Sequence, residues 1–248
     1  MGMRSGIQNR YFQSIVLVTI LNVTLFAGTG CAKEQETISH KTLNRQPPAH
    51  QVGHADVINP RRTKRVFSIS EENSKTLFKE AMKRGLPASG ILLIADTASQ
   101  KAIVVDSNGI QHEYLMSSSK FGIGNQLDSN KTPLGWHKVT ERIGGEQLQG
   151  RSFTSRLPDK IILPQDQWRS DSGKDYVLTR ILWLTGLEPG INAGGRVDSH
   201  NRCIYIHGTN QEHLLGKPAS HGCLRLSNRD VMELFDISEG RQLYCLIR

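Results

Sequence analysis

Long hydrophobic runs are scarce in this 248-residue sequence, and so are aromatic residues, which make up 6% of it. A single membrane-directed stretch lies near the N-terminus, and this excludes a protein with several membrane spans. Hydrophobic residues still account for 37% of the chain and charged residues for 22%. This composition is too apolar for a wholly disordered protein, and the length suits one catalytic domain with extensions.

Acidic residues are also few, with 23 Asp and Glu against 31 Lys and Arg, which gives a formal charge of +8. A basic balance suits nucleic acid, an anionic membrane surface or an anionic polymer such as a cell wall. The sequence lacks a Gly-rich phosphate loop and a basic recognition helix, so nucleic acid is not an expected partner. No internal repeat is present, which argues against a solenoid or an array.

The N-terminus has the pattern of an export signal over residues 1–31. Arg4 and Arg10 precede an apolar run, and small residues then lead to Cys31. An uncleaved anchor is the alternative, although the run is short for a span of about 20 residues. The end of the run also resembles a bacterial lipoprotein signal in which Cys31 is lipidated, except that Gly28 replaces the usual Leu-like residue. We therefore expect an exported protein of the periplasm or cell envelope, in contact with the membrane only through this signal or a lipid on Cys31.

Residues 32–68 are polar and carry no periodic apolar pattern, so the sequence predicts a disordered linker there. An amphipathic helix is predicted within residues 69–87. Acidic residues follow Ser70, apolar residues recur every three or four positions, and Gly85 gives a stop.

The rest of the chain, residues 88–248, predicts a catalytic domain of mainly β structure. Short apolar runs alternate with turn signals, of which Asn108-Gly109 is the strongest. Many short strands with Gly-rich connections indicate a β-sandwich or a partly closed barrel, and residues 228–235 predict one of its few short helices. The predicted strands are residues 90–95, 101–106, 110–116, 136–141, 180–186, 203–207 and 242–247.

A cysteine and a histidine have the spacing of a nucleophile and its base. His207 ends a predicted strand, and Cys223 follows sixteen positions later in a Ser-His-Gly-Cys segment. A thiol attacks as the thiolate, so it needs a nearby base such as an imidazole. Gly222 lets the backbone approach a substrate carbonyl, and amide groups of the turn would stabilise an oxyanion. These residues predict acyl transfer.

The same residues resemble the signature of the bacterial L,D-transpeptidases, the YkuD-domain family of peptidoglycan enzymes. The matching segments are His207-Gly208-Thr209 and Ser220-His221-Gly222-Cys223-Leu224-Arg225, and the resemblance extends to Lys131-Thr-Pro-Leu-Gly135 and to the hairpin that begins at Gly90. It covers roughly residues 88–248. Arg225 stands where many members have Asn, which leaves the donor and acceptor details open.

The resemblance implies a two-step reaction on peptidoglycan tetrapeptide stems, and it implies no metal and no organic cofactor. Cys223 would attack the carbonyl of the third residue of a stem and release the terminal D-Ala. An amine of a second stem would then give a 3-3 cross-link, or a lysine of an envelope protein would be anchored to the wall. Hydrolysis, as an L,D-carboxypeptidase or by release of wall-linked protein, is one alternative. A non-catalytic wall-binding module is another.

The resemblance also implies a role for each site residue. His207 would act as base and then as acid, with the carbonyl of Gly208 holding its ring. His221, Gly222 and Cys223 would line the oxyanion site. Ser220 and Arg225 would bound the cleft, and Arg225 would bind a stem carboxylate through paired hydrogen bonds.

Simpler interpretations stand beside these roles. His221 would only shape the turn, and Arg225 would only form a surface ion pair. A zinc site is the alternative to a thiol nucleophile, because His207, His221 and Cys223 are all residue types that bind zinc. Cys203 and Cys245 are interpreted as buried thiols, with a disulfide between them as the alternative. Aromatic residues Trp136, Trp183 and Tyr205 are predicted to form core or cleft walls. The other histidines are interpreted as solvated: His40, His50, His54, His112, His137, His200 and His213.

Overall fold

The computed structural model describes residues 69–170 and 173–248. In these ranges ten strands belong to one sheet, accompanied by two α-helices and three short 3-10 turns. The strands are β1 (Ile91–Asp96), β2 (Lys101–Asp106), β3 (Gly109–Leu115), β4 (Gly135–Ile143), β5 (Arg151–Thr154), β6 (Leu157–Ile162), β7 (Val177–Gly186), β8 (Tyr205–Gly208), β9 (Leu224–Leu226) and β10 (Leu243–Ile247); the helices are α1 (Glu71–Lys83) and α2 (Asn228–Ile237).

The sheet is mixed, and its main path runs in the order β3-β2-β1-β10-β4-β7-β5-β6. Strand β8 leaves this path by pairing with β7 and also with β9. Two pairs are parallel, β1 with β10 and β8 with β9. The prediction of a mainly β fold is confirmed, and the described strands form a curved sheet that does not close between β3 and β6.

Helix α1 begins where the sequence predicts a helix, because Ser70 caps it. The Ser70 side chain accepts the backbone N–H of Asn73 at 3.2 Å, and acidic residues fill the first turn. Phe78 and Ala81 are buried against one face of the sheet, together with Leu92 and other residues of β1, β2 and β10. The helix thus covers the face of the sheet that lies away from the main core.

The main core lies between the two halves of the curved sheet and under α2. Alternate residues of β1, β2 and β10 meet alternate residues of β7, β8 and β9 there, as period-two alternation requires. Ile206 of β8 and Leu224 of β9 point into this core. The other side chains of β8 and β9 therefore face the opposite side, where the candidate site lies.

Several predictions fall outside the described residues, namely the signal at 1–31 with Cys31 and the linker at 32–68. No helix in the described ranges is long and apolar enough to span a membrane.

The interpretation of Cys245 as a buried thiol is confirmed, because it is free and buried on the inner strand β10; the alternative of a Cys203–Cys245 disulfide is therefore wrong. Cys203 is half-buried and lies two residues before the start of β8.

The interpretation of His137 as a solvated residue is also wrong. His137 lies on β4, fully buried, with Nδ1 2.9 Å from the carbonyl oxygen of Gly135 and Nε2 2.9 Å from the hydroxyl of Ser199. Burial lowers the pKa of its imidazole from 6.5 to about 4. The fold therefore holds this histidine in its neutral form.

We predict that His137 makes the protein less stable as the pH falls from about 6.5 towards about 4. The unfolded chain takes up a proton in this window that the folded chain refuses, so the free energy of unfolding decreases. Urea denaturation at several pH values should show that the free energy of unfolding decreases less steeply with falling pH in His137→Gln than in wild type. His112→Gln, at a half-buried position, is the control, and a slope unchanged in His137→Gln would contradict the prediction.

Candidate active site

Strand β8 presents His207 on the face opposite the main core. Ile206 packs into the core, whereas Tyr205 and His207 alternate with it and point to the other side. The antiparallel neighbour β7 places Ile181 beside His207 and Trp183 beside Tyr205. His207 is therefore a buried side chain at the floor of the site rather than an exposed strand end.

Cys223 reaches the same face because the chain returns parallel to β8. His207 pairs with Arg225 and Ile206 with Leu224 in this register. Cys223 and Arg225 are two residues apart and share the face of His207. The Cys223 Sγ atom accepts the backbone N–H of Tyr205 at 3.3 Å, and the thiol lies 3.4 Å from the carbonyl oxygen of Cys203. Cys223 as a whole residue is half-buried.

The turn before Cys223 is held by its own residues. The buried hydroxyl of Ser220 donates to the carbonyl oxygen of Cys223 at 2.6 Å and accepts the N–H of Gly222 at 3.2 Å. Gly222 has a φ of 131°, in the region that favours glycine. Ser220 thus shapes the turn, while the oxyanion role of the turn amides stays a prediction.

Thr132 connects the Thr-Pro segment to this turn. Its buried hydroxyl donates to the carbonyl oxygen of Gly222 at 3.0 Å and accepts the N–H of Ser119 at 2.9 Å. Arg202 supports the same loop through a hydrogen bond of 2.6 Å to the carbonyl oxygen of Lys131. Two segments far apart in the sequence therefore meet at the backbone next to Cys223.

The ring of His207 is fixed by the backbone. Its Nδ1 atom lies 2.7 Å from the carbonyl oxygen of Gly208, the contact that the resemblance implies. A carbonyl only accepts, so Nδ1 carries the proton and Nε2 of the neutral ring is left as a proton acceptor. A side chain on Gly208 would collide with Asn228, since a Cβ there would lie 2.3 Å from the Asn228 Oδ1 atom.

Burial favours the neutral forms of both His207 and Cys223. It lowers the pKa of His207 to about 4, although the charge of Asp175 and the Gly208 carbonyl act in the other direction. Burial likewise raises the pKa of Cys223 to about 11, and Asp175 adds to this effect, while the Tyr205 N–H, Arg225 and Arg202 oppose it. At neutral pH, burial therefore favours a thiol at Cys223 and a neutral imidazole at His207.

Arg225 is buried, with 1% of its side chain exposed. Its guanidinium contacts the Asp175 carboxylate and donates to the Gln211 side chain at 2.9 Å. Arg225 does form an ion pair, but this pair lies in the site and not at the surface. These contacts use the two terminal nitrogens of the guanidinium, and the binding of a stem carboxylate by Arg225 stays a prediction.

Asp175 is a site residue that the sequence reasoning missed. It lies in the loop before β7, and its Oδ2 atom is also 3.2 Å from Nδ1 of His221. Burial alone would raise its pKa, yet the hydrogen bond from His221 and the charge of Arg225 lower it overall. A buried arginine requires an acidic partner, but no spacing in the sequence indicates which one.

Aromatic residues form one wall of the site, as the sequence predicts. Trp183 meets Tyr205 edge to face, with ring centroids 5.5 Å apart, and the Arg156 guanidinium lies 4.5 Å from the Trp183 ring centre. Cys223 packs against this cluster. His200, interpreted as solvated, instead stacks on Trp183 at 3.9 Å.

The zinc alternative finds no support in the geometry. Residues 69–170 and 173–248 contain no group of three or more His, Cys, Asp or Glu side chains that could hold a metal ion. His207, His221 and Cys223 are all present at the site, but His221 is directed to Asp175 and His207 to Gly208.

Comparison with known proteins gives the family. The model of the YkuD family, the L,D-transpeptidase catalytic domain, matches residues 90–241. Because this match covers more than half of the chain and includes His207 and Cys223, the chain belongs to the L,D-transpeptidase catalytic domain family.

Individual relatives are distant. The Bacillus subtilis (strain 168) protein YqjB, named as a candidate L,D-transpeptidase, is 23% identical over 150 residues, which are 60% of this chain and 66% of that protein. The structure of L,D-transpeptidase 3 from Mycobacterium tuberculosis in complex with a faropenem-derived adduct is 13% identical in sequence, with a TM-score of 0.39. The match covers 64% of this chain and 60% of that one. The structure of the L,D-transpeptidase from Xylanimonas cellulosilytica is 20% identical in sequence, with a TM-score of 0.36. The match covers 70% of this chain and 68% of that one.

We predict that the Cys223 thiol reacts slowly with iodoacetamide at pH 7 and faster as the pH rises towards about 11. Only the thiolate is alkylated. Burial raises the pKa of the Cys223 thiol, so the thiolate forms at a higher pH than it does in an exposed cysteine. Mass spectrometry of the Cys223 peptide after timed alkylation measures the profile, and the protein unfolded in urea is the control. A rate plateau at or below pH 8 in the folded protein would contradict the prediction.

Proposed function

We propose that this protein is an L,D-transpeptidase that acts on peptidoglycan tetrapeptide stems through an acyl-enzyme on Cys223. The observation that carries the proposal is the parallel pairing of β8 with β9, which places the half-buried residue Cys223 and the buried His207 on one face of the sheet. The imidazole of His207 is held by Gly208 with Nε2 as a proton acceptor. These are the components of nucleophilic acyl transfer.

In the first step, the Cys223 sulfur forms a bond to the carbonyl carbon of the third stem residue. The thiol proton passes to Nε2 of His207, and this proton then goes to the nitrogen of D-Ala as the amide bond breaks. The products are a thioester on Cys223 and free D-Ala. Amide groups of the His221–Cys223 turn would stabilise the oxyanion between these two states.

In the second step, an amine attacks the thioester carbonyl. Its proton passes to Nε2 of His207 and from there to the departing Cys223 sulfur, so the enzyme returns to its resting thiol form. A side-chain amine of another stem yields a 3-3 cross-link, and a lysine of an envelope protein yields a protein anchored to the wall. Both products arise from the same chemistry at Cys223.

The location that fits this substrate is the periplasm or cell envelope. We propose residues 1–31 as the export signal, with a lipid anchor on Cys31, residues 32–68 as a linker, residues 69–87 as the helical segment and residues 88–248 as the catalytic domain. The basic composition of the chain suits contact with an anionic wall or membrane surface.

The test is to incubate residues 33–248 with a disaccharide-tetrapeptide and to analyse the products by mass spectrometry. Wild type should form a dimer that has lost one D-Ala. Cys223→Ala should form no product, and His207→Gln should react about 10²- to 10⁴-fold more slowly because it cannot transfer the proton. Cys245→Ala, which removes the other free thiol of the described residues, should remain active.

Other outcomes decide between the alternatives. A Cys223-dependent tripeptide monomer, formed without a dimer even when a lysine-containing acceptor is added, would indicate an L,D-carboxypeptidase. Binding to isolated cell walls without any acylation of Cys223 would indicate a non-catalytic wall-binding module and would overturn the proposal.

A further inference from the structure

One carboxylate oxygen contacts residues on both sides of Cys223. Oδ2 of Asp175 accepts hydrogen bonds from the guanidinium of Arg225 and from Nδ1 of His221, the latter at 3.2 Å. His221 lies two residues before Cys223 and Arg225 two residues after it. The turn that carries the thiol is therefore held at both ends by Asp175.

The loop that carries Asp175 is itself fixed to the end of β8. The buried side chain of Asn210 accepts the N–H of Tyr176 at 3.0 Å and donates to the carbonyl oxygen of Lys174 at 2.9 Å. Asn210 follows His207 by three residues. The segment that supplies the histidine thus also places the carboxylate.

The contact with Asp175 determines the tautomer of His221. An ionised carboxylate only accepts hydrogen bonds, so Nδ1 of His221 carries the proton and Nε2 of the neutral ring is a proton acceptor. About half of the His221 side chain is exposed, whereas His207 is buried. The two histidines therefore have the same tautomer, one held by a backbone carbonyl and the other by a charged carboxylate.

We propose that Asp175 is the positioning residue of this site: its Oδ2 atom holds His221 and Arg225 and so fixes the turn that presents the Cys223 thiol. The inference rests on the proposed acyl transfer. The charge of Asp175 also acts on the reacting pair, because it favours the protonated forms of both His207 and Cys223.

The kinetic test compares Asp175→Asn with wild type and with Asp166→Asn, which removes an exposed carboxylate elsewhere. We expect kcat/KM for the disaccharide-tetrapeptide to fall about 10²-fold in Asp175→Asn, mainly through kcat, and to stay unchanged in Asp166→Asn. In a His221→Ala background, the Asp175→Asn change should lower kcat/KM much less than it does in the wild-type background, because the two residues act together. Equal losses in both backgrounds would overturn the positioning role.

The second readout needs no substrate and separates this inference from the proposed function. The charged groups that act on Cys223 are Asp175, Arg225 and Arg202. The Asp175→Asn change removes the negative charge and leaves the two positively charged arginines. The pH dependence of the alkylation of Cys223 by iodoacetamide should therefore shift to lower pH in Asp175→Asn. Asp166→Asn should retain the wild-type profile. An unshifted profile in Asp175→Asn would contradict the inference even if the enzyme is an active transpeptidase.

A measurement on the wild-type chain covers the case in which Asp175→Asn does not fold. NMR of protein with isotope-labelled histidine distinguishes the two neutral tautomers of His221. The inference requires the proton on Nδ1 and would be overturned by a proton on Nε2. A shifted alkylation profile or the Nδ1 tautomer, found in a chain that forms no peptidoglycan product, would support the role of Asp175 and reject the proposed substrate.

Discussion

The parallel pairing of β8 with β9 is the constraint on which the site depends. It places His207 opposite Arg225, and the two-residue repeat of a strand then brings Cys223 to the same face. Leu224 and Ile206 on the other face are buried in the main core, so a shift of register by one residue would expose them. The packing of the core thus keeps His207 and Cys223 on the same face of the sheet.

Burial sets the charge state of the site. The same packing that orders His207 and Cys223 removes water from them, which disfavours the imidazolium and the thiolate. Asp175 and Arg225 are the charged pair that the site retains, and each compensates the other. The neutral Cys223 and His207 and the adjacent Asp175–Arg225 ion pair are therefore a direct consequence of where β8 and β9 lie.

Strong local patterns explain what was predictable. The apolar runs that became β1, β2, β7 and β10 and the capped segments that became α1 and α2 carry their signals within a few residues. Strands β5 and β6 went unpredicted because β6 is an exposed edge strand with little apolar alternation. The three-residue β9 was missed because it is too short to show a period and exists only through its pairing with β8. His137 and Asp175 were missed for a related reason, since burial and ion pairing depend on residues distant in the chain.

The sequence by itself determined the family and the mainly β fold and led to Cys223 and His207 as the proposed nucleophile and base, because those signals lie in short contiguous motifs whose chemistry depends on residue type. The tertiary structure decided which groups surround them. Asp175, Arg202 and Thr132 come from three separate loops, and only the folding of the sheet brings them to the turn before Cys223. Electrostatic and hydrogen-bond interactions act over a few ångströms of space, so distance along the chain does not reveal them.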